Sequence, residues 1–217
     1  MMDIVKNFKL LKKTLSDNVK IVAVSKTKSK DEILKIYNIG HRDFGENRIQ
    51  ELREKYNDLP QDIKWHMIGH LQKNKVKYIA PFIDLIHSID SLKLLKEIDK
   101  QAEKNKRTIK CLLQIKIAKE ENKFGLFKDE VENLILLSNN LNNVKIIGLM
   151  GMATFTSEQE IIDIEFKKIS SLFLNLKISY PQLSVLSIGM SNDYLIATNN
   201  GSNMVRIGSQ IFGERSK

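Results

Sequence analysis

Eight short apolar runs recur along the 217-residue chain, and seven of them are followed by a segment of helical periodicity. The runs are IVAVS at 21–25, DFGEN at 43–47, WHMIG at 65–69 and LIHSI at 85–89. They continue with IKCLLQIKI at 109–117, VKIIGLMGM at 144–152, LSVLSIG at 183–189 and MVRIGSQIFG at 204–213. Strands that alternate with helices form right-handed βαβ units and a parallel sheet. Eight such units are the count of a (β/α)8 TIM barrel. An open doubly wound sheet would carry a G-x-G-x-x-G turn after its first strand, where this chain has lysines instead. The expected fold is therefore α/β, a single barrel domain over 1–217. Ile4, Val5, Phe8, Leu11 and Leu15 at helical spacing predict an extra N-terminal helix.

Composition narrows the partners. Hydrophobic residues are 42% and charged residues 28%, ordinary for a globular protein. The charge of +9 comes from lysines that do not gather into a basic tract with aromatics, so no nucleic-acid partner is expected. No apolar run approaches the roughly 18 residues of a membrane span, and the charged opening MMDIVKNFKLLKKTL does not read as a signal peptide. The one cysteine, Cys111, lies in an apolar run and suits a reducing compartment, so a cytoplasmic protein is expected.

Three lysines follow the first strand at alternate positions: Lys26, Lys28 and Lys30. The segment SKDE at 29–32 reads as a capping box, with Ser29 as N-cap and Glu32 three residues on. That places Lys30 in a surface helix and Lys28 in the loop before it. Lys26 alone falls at the C-terminal mouth of the strand, where barrel active sites are built. A desolvated lysine there is a nucleophile of lowered pKa. A snorkelling lysine that caps the core fits the same position.

The last two strand ends bear on that choice. Ser191 follows Gly189 and can serve as an N-cap, leaving the amides of Asn192 and Asp193 free; Gly208 and Ser209 follow the eighth strand. Two such turns form an anion cradle, and barrels commonly bind phosphate after strands 7 and 8. Because strand 8 pairs with strand 1 in a closed barrel, a phosphate there would lie beside Lys26. Two ordinary capped turns are the plainer reading. A phosphate grip beside an amine suits pyridoxal 5′-phosphate (PLP), with Lys26 as Schiff-base partner. Arg206 faces the same way as Gly208 and could reach the pyridine nitrogen. It cannot give up its proton, which leaves the ring a weak electron sink.

Other groups read more plainly. His66 and His70 are four apart but separated by Gly69, so they do not make a helical metal pair, and no metal site is expected. His87 is expected to satisfy core hydrogen bonds. Glu46, at the mouth of strand 2, could orient Lys26 or a water, or stand as a surface carboxylate.

The blocks AVSKTK (23–28), FGENRIQE (44–51), WHMIGHLQKNK (65–75), GLMGMA (148–153), SIGMSNDY (187–194) and VRIGSQIFGER (205–215) run almost end to end. In them the chain resembles the pyridoxal phosphate homeostasis proteins, single-domain barrels related to the N-terminal barrel of alanine racemase. The resemblance implies a Schiff base on Lys26, phosphate contacts from Ser191, Gly208 and Ser209, and Arg206 near the pyridine nitrogen. It also implies Asn47 and Met150 around the cofactor. Ser209 stands where threonine is common, and Phe124 and Lys116 stand where serine and asparagine are usual. The implied function is a PLP carrier that buffers the cofactor or passes it to PLP-dependent apo-enzymes, expected to be monomeric and without catalytic turnover. Related racemases take a second acid/base group from an added C-terminal domain, and a chain that stops at Lys217 is expected to lack room for one. An amino-acid racemase or decarboxylase of the same barrel class is the alternative. A basic barrel that binds a sugar phosphate would leave Lys26 without a role.

Overall fold

The computed structural model describes residues 3–118 and 124–214. Met1 and Met2, the Glu121–Lys123 part of the strand 5 loop, and Arg215 of the closing block lie outside the described residues. Eight parallel strands close into a barrel in sequence order, with the last pairing the first. They are β1 (Lys20–Val24), β2 (Asp43–Glu46), β3 (Lys64–Met67), β4 (Leu85–Ile89), β5 (Ile109–Ile115), β6 (Val144–Gly151), β7 (Val185–Ser187) and β8 (Met204–Ile207). The helices are α1 (Ile4–Lys13), α2 (Lys30–Asn38), α3 (Ile49–Asp58), α4 (Leu92–Lys104), α5 (Lys128–Ser138), α6 (Gln159–Ser179), α7 (Tyr194–Asn199) and α8 (Ser209–Phe212).

Period-2 alternation sorts each strand into two faces. Ala23, Phe44, Trp65 and Leu113 turn outward and are buried with the apolar stripes of the helices in the larger core. Val22, Leu85, Leu112, Met150 and Met204 turn inward and fill the barrel. At the heads of α1, α2 and α4 a side chain accepts one of the first amides. Asp3 accepts the N–H of Lys6 at the head of α1, and Ser29 and Glu32 form the expected capping box at α2.

The structure departs from the sequence reading in three places. The helical pattern after β3 is a 3-10 helix, Lys73–Tyr78. Pro81 follows closely and disfavours helical backbone at the residue before it, so the segment closes with short turns rather than a full α-helix. The run LSVLSIG yields strand only at Val185–Ser187, before Gly189 takes a φ of +98°. In MVRIGSQIFG, β8 ends at Ile207 and the remainder is the short helix α8. No described helix is long and apolar enough to cross a membrane.

Candidate functional site

At the C-terminal mouth of the barrel lies a cavity of about 610 Å³, lined by Lys26, Lys28, Asn47, Ser191, Arg206, Gly208 and Ser209 among others. The strand register explains the convergence. Val22 of β1 is opposite Arg206 of β8. Val24 and Lys26, two and four residues on, keep the inward facing and line the cavity beside Gly208. Lys26 is half-buried. Immediately after it the chain bends through Thr27, whose φ of +66° is unusual for a β-branched residue. The Thr27 N–H is held by Glu51 Oε1 at 2.5 Å.

The backbone under Lys26 is clamped from behind. Ser25 Oγ donates to Glu46 Oε1 at 2.6 Å, and the Ser25 carbonyl accepts from Lys55 Nζ at 2.7 Å. Lys55 also bonds Glu46 Oε1 at 2.8 Å and Glu51 Oε1 at 2.6 Å. Glu46 is thus no surface carboxylate. It is fully buried and shares the outward facing of Phe44 toward α3, where Oε1 accepts from Ser25 and Lys55. Burial pushes its carboxyl up to about 7, against the opposing pull of Lys55 and Ser25.

The capping box sends Lys30 to the surface, where it pairs with Asp58 at 2.6 Å. It does not remove Lys28. That side chain also lines the cavity, and its Nζ donates to the carbonyls of Phe212 (3.0 Å) and Glu214 (3.4 Å). Among the described residues Lys26 and Lys28 therefore both face the site, and Lys28 is tied to the C-terminal segment.

The phosphate-type turns after β7 and β8 meet, but with different geometry from that expected. Ser191 does not cap α7; Asp193 holds the N-cap position, and its own N–H is taken by the Met190 carbonyl at 3.1 Å. Instead Ser191 Oγ accepts the N–H of Gly208 at 3.2 Å, and Gln210 donates to the Ser191 carbonyl at 2.7 Å. The two turns are stitched directly to each other. Asp193 also lines the cavity, and its carboxylate accepts the Met190 N–H. Burial raises its pKa.

Arg206 spans the floor. It is 4% exposed, and its guanidinium donates to the Ser187 carbonyl and hydroxyl, both at 2.7 Å, and to the Gly151 carbonyl at 3.0 Å. Burial lowers its pKa to about 10, still well above neutrality. Asn47 lines the wall, where Gly69 lets the Asn47 backbone approach closely: a Cβ on Gly69 would overlap the Asn47 carbonyl. Met150 lies on β6, two residues before Met152. It is fully buried inside the barrel, below the cavity that Met152 lines. At the strand 5 mouth Phe124 stacks on His70 with ring centroids 3.9 Å apart, and Lys116 lies 5.5 Å over the Phe127 ring. Gln114, which the sequence reading passed over, also lines the cavity there. Its alternate spacing from inward-facing Leu112 on β5 was the available signal. His66 does not share a face with His70; it points into the barrel against His87 and Asp43. No group of three metal-ligating side chains occurs among the described residues.

The family model for the alanine racemase N-terminal domain matches residues 2–216. The pyridoxal phosphate homeostasis protein of Aquifex aeolicus is 39% identical over 198 residues, 90% of this chain and 87% of that protein. That of Helicobacter pylori strain 26695 is 40% identical over 199 residues, 90% of this chain and 88% of its own length. The chain belongs to the pyridoxal phosphate homeostasis family. PipY of Synechococcus elongatus, solved with PLP bound, superposes with a TM-score of 0.89 at 33% identity, covering 97% of this chain and 100% of that one. Alanine racemase of Clostridium difficile superposes at 0.76 with 16% identity and shares the fold; this chain covers 58% of it. The homeostasis family and the racemases thus share the barrel, while the racemase has further chain beyond the matched part.

Proposed function

We propose that the protein holds PLP in the barrel mouth, attached through Lys26, and serves as a cellular reservoir that yields it to PLP-dependent apo-enzymes. One observation carries this reading: Lys26, Lys28 and Arg206 converge with the hydroxyls of Ser191 and Ser209 on a single cavity. Among the described residues of that lining the one carboxylate is Asp193, which accepts the Met190 N–H. Such a donor set suits a dianionic phosphate carried on an electrophilic aromatic ring. When bound, PLP supplies an aldehyde that an amine can attack.

The residues divide the work by position. Ser191, Gly208 and Ser209 lie where the phosphate would seat, at the stitched turns after β7 and β8. Lys26, one inward step beyond Val24, faces the same space. Arg206, on the floor, offers donors and no acceptor, so a ring nitrogen against it stays unprotonated. That arrangement favours retention over carbanion chemistry, and it supports a role without amino-acid turnover. We further infer one barrel domain, monomeric and cytosolic.

The test is borohydride reduction of the PLP-loaded protein followed by peptide mapping. The pyridoxyl group should lie on Lys26. Because Lys28 lines the same cavity, it serves as the internal comparison, and labelling mainly at Lys28 would overturn the assignment.

A further inference from the structure

A line of side chains from five strands crosses the barrel interior beneath the cavity. Arg206 (β8) donates to Ser187 Oγ (β7) at 2.7 Å. Ser187 Oγ lies 3.3 Å from His87 Nδ1 on β4, a link that crosses the lumen. His87 Nε2 lies 3.0 Å from His66 Nδ1 (β3), and His66 Nε2 lies 3.1 Å from Asp43 Oδ1 (β2). His66, His87, Ser187 and Arg206 are each at most 4% exposed.

Chemistry gives this line one direction. A guanidinium only donates, so Ser187 Oγ accepts from Arg206 and has its own hydrogen to give to His87 Nδ1. His87 is neutral, because burial, then His66 and Arg206, hold it well below the ordinary imidazole range. Its one hydrogen is therefore on Nε2 and goes to His66 Nδ1. That leaves His66 Nε2–H to donate to Asp43, an ionised carboxylate that only accepts. The reverse sense would require a hydrogen on both His66 ring nitrogens, one toward His87 and one toward Asp43. Every bond thus runs from the cation at the cavity floor to the anion at the far end of the barrel, where Lys20 lies 3.5 Å from Asp43.

We propose that Ser187, His87 and His66 are positioning residues that orient the Arg206 guanidinium toward the cofactor ring and, with Asp43, hold it in place. The inference rests on the PLP reading for its function but not for its geometry. Arg206 has three donations to protein oxygens, all along one edge: two from Nη1 and one from Nη2. Its Ser187 contact is oriented only because the serine hydrogen is drawn away by His87. Cutting the line frees Ser187 to rotate and lets the guanidinium turn.

Two measurements separate the geometry from the function. Side-chain ¹⁵N–¹H correlation spectra of the ligand-free protein, at about pH 8, should show both His66 and His87 as Nε2–H tautomers. An Nδ1–H on either would overturn the chain, whether or not PLP binds. In the PLP-loaded protein, Ser187→Ala should shift the absorption maximum of the bound cofactor and weaken its retention roughly tenfold, as for one lost bond to a charged group. Ser187→Thr, which keeps the hydroxyl, should restore both, and borohydride should still label Lys26 in each variant. If Ser187→Ala folds, by its thermal transition, and leaves both spectrum and retention as in the parent, the positioning role is wrong. A parent protein that takes up no PLP would instead sink the functional reading, with the tautomer spectra still deciding the chain.

Discussion

Lys55 Nζ and Glu46 Oε1 are 2.8 Å apart behind β1 and β2, and both side chains are almost wholly buried. The pair grips the backbone at Ser25, the residue before Lys26. Removing one partner of a buried ion pair strands the other charge, which typically costs about 3–5 kcal/mol. Lys55→Ala should therefore lower unfolding stability by about 3 kcal/mol. Denaturant unfolding of parent and variant would measure it, and a loss below about 1 kcal/mol would show that the pair contributes little.

The same carboxyl makes stability depend on pH. Its folded pKa is about 7 against the ordinary 4.5. A raised acid favours the fold below pH 4.5, and that contribution is lost as pH rises through 7. Relative to Glu46→Gln, the parent should thus lose about 2–3 kcal/mol between pH 5 and pH 8. Thermal transitions of both proteins across that range provide the comparison; a constant gap would mean that Glu46 does not titrate there.

Ser191 and Ser209 carry the hydroxyls of the two stitched turns. Replacing both with alanine should weaken PLP retention, each lost charge-assisted bond costing roughly 1.5–3 kcal/mol. Ser191→Ala also leaves the Gly208 N–H without its present acceptor, so stability should fall by about 1 kcal/mol. Equilibrium dialysis would follow retention, and unchanged retention would place the phosphate elsewhere.

Gly69 is needed for the close approach of the Asn47 backbone. Gly69→Ala should push Asn47 out of the cavity wall, destabilising the fold by about 1–3 kcal/mol and loosening PLP binding. Binding and unfolding equal to the parent would show that the wall accommodates the methyl group.

With PLP loaded and L-amino acids supplied in deuterated water, neither racemisation nor decarboxylation should proceed through multiple turnovers. In the role proposed for it, Arg206 would leave the ring nitrogen unprotonated, so a carbanion at the α-carbon would gain little from the ring. Deuterium and chirality at the α-carbon report the outcome; enzyme-like turnover would favour the racemase reading.

The barrel was legible in the sequence because its signal is local. Apolar runs of strand length alternate with helical spacing, and closure in chain order follows from right-handed crossovers. The placement of Lys26, Arg206, Gly208 and Ser209 at the barrel mouth was legible for the same reason, since each is a fixed number of residues from a strand end. Pairings between distant strands were not. The period-2 pattern marks His66, His87 and Ser187 as inward-facing, yet only closure of β3, β4 and β7 on one lumen joins them into a chain below Arg206. Glu46 read equally as a group that orients Lys26 or a water and as a surface carboxylate, until α3 brought Lys55 over it. Lys28 looked like loop until the C-terminal segment turned back to meet it. Sequence periodicity determines which way a side chain faces; what it meets there depends on which strand or helix packs opposite, and only the tertiary structure decides that.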